Sequence, residues 1–302
     1  MAAPPTAAAT SLPMAKPAQG GFGRFARRNP TIVIGGVLLG LMVLVALFGP
    51  IFAGDPFTVA PVDRLKPPNL SDFFAAGKID RLGTDNLGRD VFARTVHGAR
   101  VSLLVGISVS AIATALGLTI GLMAGYFRRV DTVVMRLMDA LMAIPGILLA
   151  IALVALTRGG VGVVIIAITI PEIPRVVRLV RAVVLTVRER PFIDAAVSVG
   201  SRPKKVILRH ILPNTLAPLI VQSTYICAQA ILTEAGLSFL GAGVPPEIPT
   251  WGNMIAQSRQ FLSRAPWTIF APGACLALMV LAINLLGDGL RDRLDPRMRR
   301  RM

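Results

Sequence analysis

Charged side chains are scarce in this chain of 302 residues, where they make up 16% of the sequence against 54% for hydrophobic residues. A soluble protein of this length needs far more charge to cover its surface. The hydrophobic residues also gather in long blocks. The composition therefore predicts an all-α polytopic membrane protein.

Cysteine and histidine are nearly absent as well. Cys227 and Cys275 both lie in apolar blocks, which excludes a disulfide framework or a zinc-type spacing, and His97 and His210 are too far apart to predict a metal site. The sequence has no Gly-x-x-x-x-Gly-Lys-Ser/Thr phosphate loop, no Ser/His/Asp set and no His-Glu-x-x-His motif. We therefore expect no catalytic residue, no metal and no nucleotide bound by this chain.

Basic residues outnumber acidic ones by 32 to 16, which gives a net charge of +16. Such an excess can indicate nucleic-acid binding. Here, however, the basic residues flank apolar blocks, and no strip of alternating aromatic and basic residues is present. The pattern predicts membrane topology and no nucleic-acid partner.

The apolar residues form six segments near the ~20 residues that a helix needs to cross the hydrocarbon core. These segments are 31–53, 101–126, 133–156, 161–180, 216–240 and 267–287. The first resembles a signal peptide, but its length and its distance from the start favour an uncleaved span. The fourth is the weakest, because its uninterrupted apolar part, Val161 to Ile170, is short.

The distribution of Lys and Arg supports six crossings with both termini in the cytoplasm. The inside regions would be 1–30, 126–136, 172–214 and 288–302, with net charges of +4, +2, +6 and +3. The outside regions would be 54–100, 157–160 and 241–266, with +1 each. Positive charge is therefore concentrated inside, as membrane topology requires. Residues 1–20 are predicted to be disordered, and Arg175, Arg178 and Arg181 are predicted to mark the cytoplasmic exit of the fourth span.

The long external segment 54–100 ends in a polar stretch at which Thr84 or Asp85 is expected to cap a short helix. Two interpretations of this segment remain open. It is either a structured loop whose charges are solvated or paired, or an external shelf near a partner that delivers a ligand.

Small and ionisable residues inside the apolar segments mark further candidates. Gly117, Gly121 and Gly125 lie on one helix face and predict close helix packing, either within this subunit or against a second one. Asp139 and Glu234 are possible pathway residues, because an ionisable group in a membrane usually faces a water-filled path or a partner. Arg136, three residues before Asp139, favours a structural ion pair for that carboxylate. Hydrogen bonding to neighbouring helices is the alternative for Glu234.

The basic segment 186–214 is predicted to form two short helices in the cytoplasm. Pro191 and Pro203 are expected to start them, Gly200 to permit the turn between them, and Pro213 to end the second. Ala195, Ala196 and Gly200 give the first helix a small surface that suits insertion into a groove of another protein. A cytoplasmic hairpin without a partner is the alternative.

This segment resembles the EAA signature of permease subunits of bacterial ABC importers. That signature is Glu-Ala-Ala, three residues, Gly, nine residues, Ile, one residue and Leu-Pro. The matching positions here are Asp194-Ala195-Ala196, Gly200 and Leu212-Pro213. Asp194 replaces the usual Glu, and His210 occupies the isoleucine position.

Other stretches resemble the C-type subunit of the dipeptide/oligopeptide/nickel permease family. They are Gly83-Thr84-Asp85-x-x-Gly88-Arg89-Asp90, Gly98-Ala99-Arg100-x-Ser102-Leu103, Met135-Arg136-x-x-Asp139 with Pro145, Glu234-Ala235-x-Leu237-Ser238-Phe239-Leu240-Gly241, Pro249-Thr250-Trp251-Gly252, and the run from Gly287 to Arg297. Their number and common order make chance agreement improbable.

The resemblance implies a type I ABC importer permease fold with a cytoplasmic coupling helix, in the bacterial inner membrane. It implies a second permease subunit, two ATPase subunits that hold ATP and Mg²⁺, and an extracytoplasmic binding protein. The ATPase-coupling residues would be Asp194, Ala195, Ala196, Gly200, Arg202, Pro203, Leu212 and Pro213. Dipeptides or short oligopeptides are the expected cargo, and nickel chelates, glutathione and opines are alternatives.

Two hypotheses of other classes compete with the importer. An ion-coupled secondary carrier would use Asp139 and Glu234 as a proton relay and should show internal repeats, which the sequence does not display convincingly. A membrane anchor without transport activity is the other. Neither hypothesis explains the basic segment 186–214.

Overall fold

The structure, a computed structural model, describes residues 29–69, 81–157 and 159–294. The predicted disordered residues 1–20 lie outside the described residues, as does the end of the predicted tail 288–302. Within the described residues the chain forms ten α-helices. They are α1 (Pro30–Phe52), α2 (Val91–Tyr126), α3 (Arg128–Met142), α4 (Gly146–Ala155), α5 (Val161–Arg188), α6 (Pro191–Ser198), α7 (Pro203–Val206), α8 (Leu212–Phe239), α9 (Trp251–Ser258) and α10 (Trp267–Leu294).

Four helical stretches of the described residues are long and apolar enough to cross a membrane: α1, α2, α10 and the continuous run Pro203–Phe239 that ends in α8. The bent pair α3 and α4 gives a fifth crossing if it counts as one span. Helix α5 has 28 residues, or about 42 Å at 1.5 Å per residue. Its acidic and basic side chains make it too polar for the same criterion. The all-α membrane architecture is thus confirmed, while the count of six spans stays a prediction.

Helix α2 begins ten residues earlier than the predicted second segment. Its 36 residues extend over about 54 Å, well beyond the ~30 Å hydrocarbon core. Asp90 caps this helix, because its side chain accepts a hydrogen bond of 2.8 Å from the amide of Phe92. The prediction that Thr84 or Asp85 forms the cap is wrong, since both lie in the turn before it.

The predicted third segment 133–156 is two helices rather than one. Helices α3 and α4 meet at 84° across Ala143–Pro145. A proline has no amide hydrogen and disfavours the helical conformation of the residue before it, so the helix breaks at Ile144. Only ten residues remain for α4, which is about 15 Å and half of the hydrocarbon core.

Helices α2 and α5 pack closely along the glycine face of α2. A Cβ atom built on Gly117, Gly121 or Gly125 would lie 2.4, 2.7 or 2.6 Å from a Cβ atom of α5. The three opposing residues are Val176, Val180 and Val184. The glycines therefore pack within this chain, which is the first of the two interpretations offered by the sequence.

Candidate functional site

The exposed turn between α6 and α7 is built by local signals in the sequence. Pro191 occupies the first turn of α6, where its missing amide hydrogen has no helical partner to lose. Gly200 follows the helix with a φ of +80°. The amide of Gly200 donates to the carbonyl of Val197 (2.8 Å), and that of Ser201 donates to the carbonyl of Ala196 (3.1 Å). These two bonds and the left-handed glycine form a Schellman motif, which ends α6 sharply.

The inner side of this turn is anchored in the protein core. Ile193 of α6 and Val206 of α7 are buried, together with Ile207 and Ile211 just beyond, and all four belong to the largest apolar cluster. Burying one such aliphatic side chain stabilises the fold by about 1.5–3 kcal/mol. The turn is therefore fixed in position, because its buried side packs against the helix bundle.

The outer side of the turn carries most of the predicted coupling residues. Asp194, Ala195, Gly200, Arg202 and Pro203 are exposed, and Ala196 is half-buried. Val199, beside the glycine, is 86% exposed. Four cations lie on and next to α7: Arg202, Lys204, Lys205 and Arg209. The exposed face of this turn is therefore small and partly apolar, and positive charge borders it.

Pro213 does not end the second helix as predicted. After the single turn of α7, Ile207–Ile211 form a π-helical turn, which continues directly into α8. Pro213 lies in the first turn of α8, where a proline is tolerated. The side-chain amide of Asn214 donates to the carbonyl of His210 at 2.6 Å. Leu212 and Pro213 therefore lie at the base of a long helix, with Leu212 half-buried and Pro213 exposed.

Asp139 forms an ion pair, but with a different partner from the one predicted. Its carboxylate lies 2.5 Å from a terminal nitrogen of Arg178 on α5, and not against Arg136. The exposed fractions of the two side chains are 61% for Asp139 and 43% for Arg178. A pair this exposed contributes about 0–1 kcal/mol to stability.

A second ion pair joins α3 and α5, and the sequence does not predict it. Arg181 of α5 binds Asp131 of α3 through two hydrogen bonds, of 2.5 Å from Nε and 2.7 Å from Nη2. One further arginine, Arg188, donates to the carbonyl of Tyr126 at 2.9 Å, where α2 ends. The spacing of Arg178 and Arg181, three residues apart on α5, was the available signal. Their acidic partners lie 39 and 50 residues away in sequence, so the i, i+3 and i, i+4 spacing of a single helix does not predict these pairs.

Glu234 is fully buried near the C-terminal end of α8. The hydroxyl of Ser238 donates to its Oε1 atom at 2.8 Å, and Thr250 lies close to the same carboxyl group. Its Oε2 atom has no hydrogen-bond partner within the part of the chain that the structure describes. Glu234 and Asp139 therefore occupy different surroundings: the carboxyl group of Glu234 is buried beside Ser238 and Thr250, and the carboxylate of Asp139 is exposed and paired with Arg178.

The buried carboxylate of Asp85 organises the turn before α2, in the segment predicted to be external. It accepts hydrogen bonds from the amides of Leu87 (2.8 Å) and Arg89 (2.9 Å) and from Nε of Arg89 (2.6 Å). The Arg89 guanidinium also donates to the side chain of Gln257 in α9, at 2.7 Å. The charges of this stretch are thus paired, and the loop joins α2 to the region after α8. Whether it also receives a delivery partner stays a prediction.

Two family descriptions match the chain. Residues 117–300 match "Binding-protein-dependent transport system inner membrane component". Residues 22–68 match "N-terminal TM domain of oligopeptide transport permease C". The first match includes the end of α2 and all helices from α3 to α10, and the second includes α1.

Curated relatives match over nearly their whole length. "Probable peptide ABC transporter permease protein y4tQ" of Sinorhizobium fredii is 58% identical over 278 residues, which cover 92% of this chain and 93% of the relative. "Dipeptide transport system permease protein DppC" of Alkalihalophilus pseudofirmus is 42% identical over 275 residues, which cover 90% of this chain and 88% of the relative.

A solved structure shares the fold. A chain of "Inward facing conformations of the MetNI methionine ABC transporter" aligns with a TM-score of 0.53 at 19% identity, over 67% of this chain and 96% of that one. The arrangement of helices is thus that of an ABC importer permease. With the family match over residues 117–300, the chain belongs to the family of inner-membrane components of binding-protein-dependent transport systems.

Proposed function

We propose that this chain is a permease subunit of an ATP-driven importer that moves dipeptides or short oligopeptides across the inner membrane. The names of its relatives, which refer to peptide and dipeptide transport, support this substrate class. The match of residues 22–68 to the oligopeptide permease C domain supports it independently.

The proposed assembly contains a second, homologous permease, two cytoplasmic ATPase subunits and an extracytoplasmic binding protein. ATP and Mg²⁺ belong to the ATPase subunits, because the sequence of this chain lacks a phosphate loop. The chain then has no catalytic residue of its own, and both termini lie in the cytoplasm. The binding protein docks against the external segments 54–100 and 241–266.

One observation carries the coupling role: the turn between α6 and α7 is exposed on its outer side and anchored in the core on its inner side. A displacement applied to Asp194, Ala195 or Gly200 reaches the bundle through the buried Ile193 and Val206. ATP-driven closure of the ATPase pair would press on this turn, and the bundle would change between inward-open and outward-open states. An isolated flexible loop would absorb such a displacement instead.

Reconstitution of the complete complex in proteoliposomes tests this function. The binding protein is supplied outside with a labelled dipeptide or a labelled short oligopeptide, and ATP is enclosed on the cytoplasmic side. We expect peptide uptake that requires both ATP and the binding protein. An excess of unlabelled nickel chelate, glutathione or opine should not reduce this uptake. Uptake driven by a proton gradient without the ATPase subunits would overturn the proposal in favour of a secondary carrier.

A further inference from the structure

Helix α5 leads directly to the proposed coupling surface. It ends at Arg188, and α6 begins three residues later at Pro191. Its other contacts tie it to α2, through the valines packed on the glycine face and through Arg188, which binds the carbonyls of Gly125 and Tyr126. A displacement of α6 therefore moves α5 and α2 together.

Helix α3 is attached to this unit in a different way. Met138 is its only buried side chain, so little apolar packing fixes its position. Its two acidic residues, Asp131 and Asp139, are bound instead by Arg181 and Arg178 of α5. The two carboxylates are eight residues apart on α3, so they hold it at two points about 12 Å apart along its axis.

Helix α3 is connected to the rest of the unit at both ends. At its start the single residue Phe127 joins it to α2. Beyond Met142 the chain bends by 84° into α4, and α4 packs on α5 where Gly146 faces Pro171. Between these two connections, the two ion pairs hold the body of α3 against α5, and without them α3 would be free to rotate and to bend away from α5.

We propose that Arg178 and Arg181 are positioning residues for transport: they clamp α3 to α5, so that α3 follows the coupling helix through each ATP cycle. This inference rests on the proposed importer function. The Asp131–Arg181 pair is the stronger point of the clamp, because it is bidentate and its side chains are only 21% and 31% exposed. The Asp139–Arg178 pair is more exposed and sets the orientation of the distal part of α3.

Charge reversal in the assembled complex tests the clamp. Arg181→Asp and Asp131→Arg should each lower the number of peptides taken up per ATP hydrolysed by about fivefold, the lower end of typical coupling effects. The double reversal Arg181→Asp with Asp131→Arg re-creates the pair and should restore the ratio.

Arg136→Asp is the matched control, because Arg136 is exposed on α3 and makes no ion pair within the described residues. Unchanged ratios in both single variants, or a double variant as impaired as the single ones, would overturn the inference.

A distance measurement separates the clamp from a purely structural role. Spin labels are attached at Thr132→Cys on α3 and Thr186→Cys on α5, both exposed, with Cys227 and Cys275 replaced by serine. We expect the same label distance without nucleotide and with ATP bound, and a broad distribution in Arg181→Asp. A wild-type distance that changes with ATP would show that α3 does not follow α5.

Failure of the proposed function is a different result. If the unmodified complex takes up no peptide, the importer proposal fails. The label distance can still be measured in that complex. If the unmodified complex takes up peptide and the reversal variants do so with the same ATP consumption, only the clamp is refuted.

Discussion

Gly121 of α2 lies directly against Val180 of α5: a Cβ atom at the glycine would come within 2.7 Å of the valine Cβ. Such a contact is shorter than real Cβ atoms show, so no other residue fits without moving α5. Gly117 and Gly125 make the same contact one turn away on either side. The three contacts fix the register of α2 on α5.

We expect Gly121→Ala to destabilise the protein, although alanine usually stabilises a helix relative to glycine by about 0.5–1 kcal/mol. The added methyl group overpacks the α2–α5 contact, at a cost of about 1–3 kcal/mol. The measurement is the apparent melting temperature of the purified complex in detergent.

Gly40→Ala is the control, because a Cβ atom at Gly40 of α1 meets nothing within 4 Å. It should leave the melting temperature unchanged or raise it. The double variant Gly121→Ala with Val180→Ala should recover part of the loss. A melting temperature for Gly121→Ala equal to that of Gly40→Ala would contradict the packing account.

We expect Gly200→Val to uncouple ATP hydrolysis from uptake. Gly200 has a φ of +80°, a conformation that costs an ordinary residue about 1–2 kcal/mol, and valine would displace the turn that carries Asp194 and Ala195. Peptide uptake and ATP hydrolysis are measured in the same proteoliposomes. Gly159→Val introduces comparable strain at a φ of +73°, in the loop between α4 and α5, and should leave coupling intact. Normal uptake in Gly200→Val would count against the docking role of this turn.

Asp194→Glu should retain uptake, because it preserves the charge in the first turn of α6. Asp194→Lys reverses that charge on an exposed surface that is otherwise basic, and we expect it to weaken association with the ATPase subunits. Co-purification of the ATPase with the tagged permease measures this directly. Equal recovery of ATPase with the Lys variant and the Glu variant would remove Asp194 from the contact.

Asp85→Asn should sharply reduce the yield of folded protein. Its carboxylate is buried with Arg89, and breaking a buried ion pair costs about 3–5 kcal/mol, because one charge remains without a partner. Lys66→Met removes an exposed pair with Asp63 and should cost at most about 1 kcal/mol. The two variants are compared by size-exclusion chromatography and thermal unfolding. If Asp85→Asn is as stable as Lys66→Met, the polar network does not hold the external segment.

Glu234→Gln should leave both stability and uptake near the wild-type level. The amide has nearly the same shape, and its oxygen can accept the hydrogen bond from Ser238, so the buried polar contact is kept. A changed concentration dependence of uptake for charged peptides, with an unchanged melting temperature, would show that Glu234 contacts the cargo. Wild-type kinetics would assign the residue to the packing of the outer loop.

The sequence predicts local features of the turn between α6 and α7 well, because their causes are local. Pro191 and Pro203 each start a helix through a fixed φ, and Gly200 supplies the left-handed residue between them. The prediction for Pro213 is wrong, because a proline in the first turn of a helix cannot be distinguished by sequence from a proline that ends one. The π-helical turn Ile207–Ile211, which joins α7 to α8, has no comparable sequence signal.

Contacts between distant residues were harder to predict. The partner of Asp139 is Arg178 on another helix, whereas the sequence offered only Arg136 on its own helix. The glycines of α2 predict close packing, but which valines lie opposite them is set by the register of α2 on α5. Such pairings follow from the tertiary arrangement, which a single sequence does not specify.

The length of α2 joins two distant parts of the fold through one helix. Its N-terminal end lies among the residues that Asp85 holds together, and further along it packs through its glycines on α5, which leads to the turn between α6 and α7. In the proposed importer, a binding protein docked near the first end and nucleotide acting near the second would both act on this helix pair. Thermodynamic linkage would then make the effect mutual: if ATP alters the affinity for a docked binding protein, the binding protein alters the affinity for ATP by the same factor.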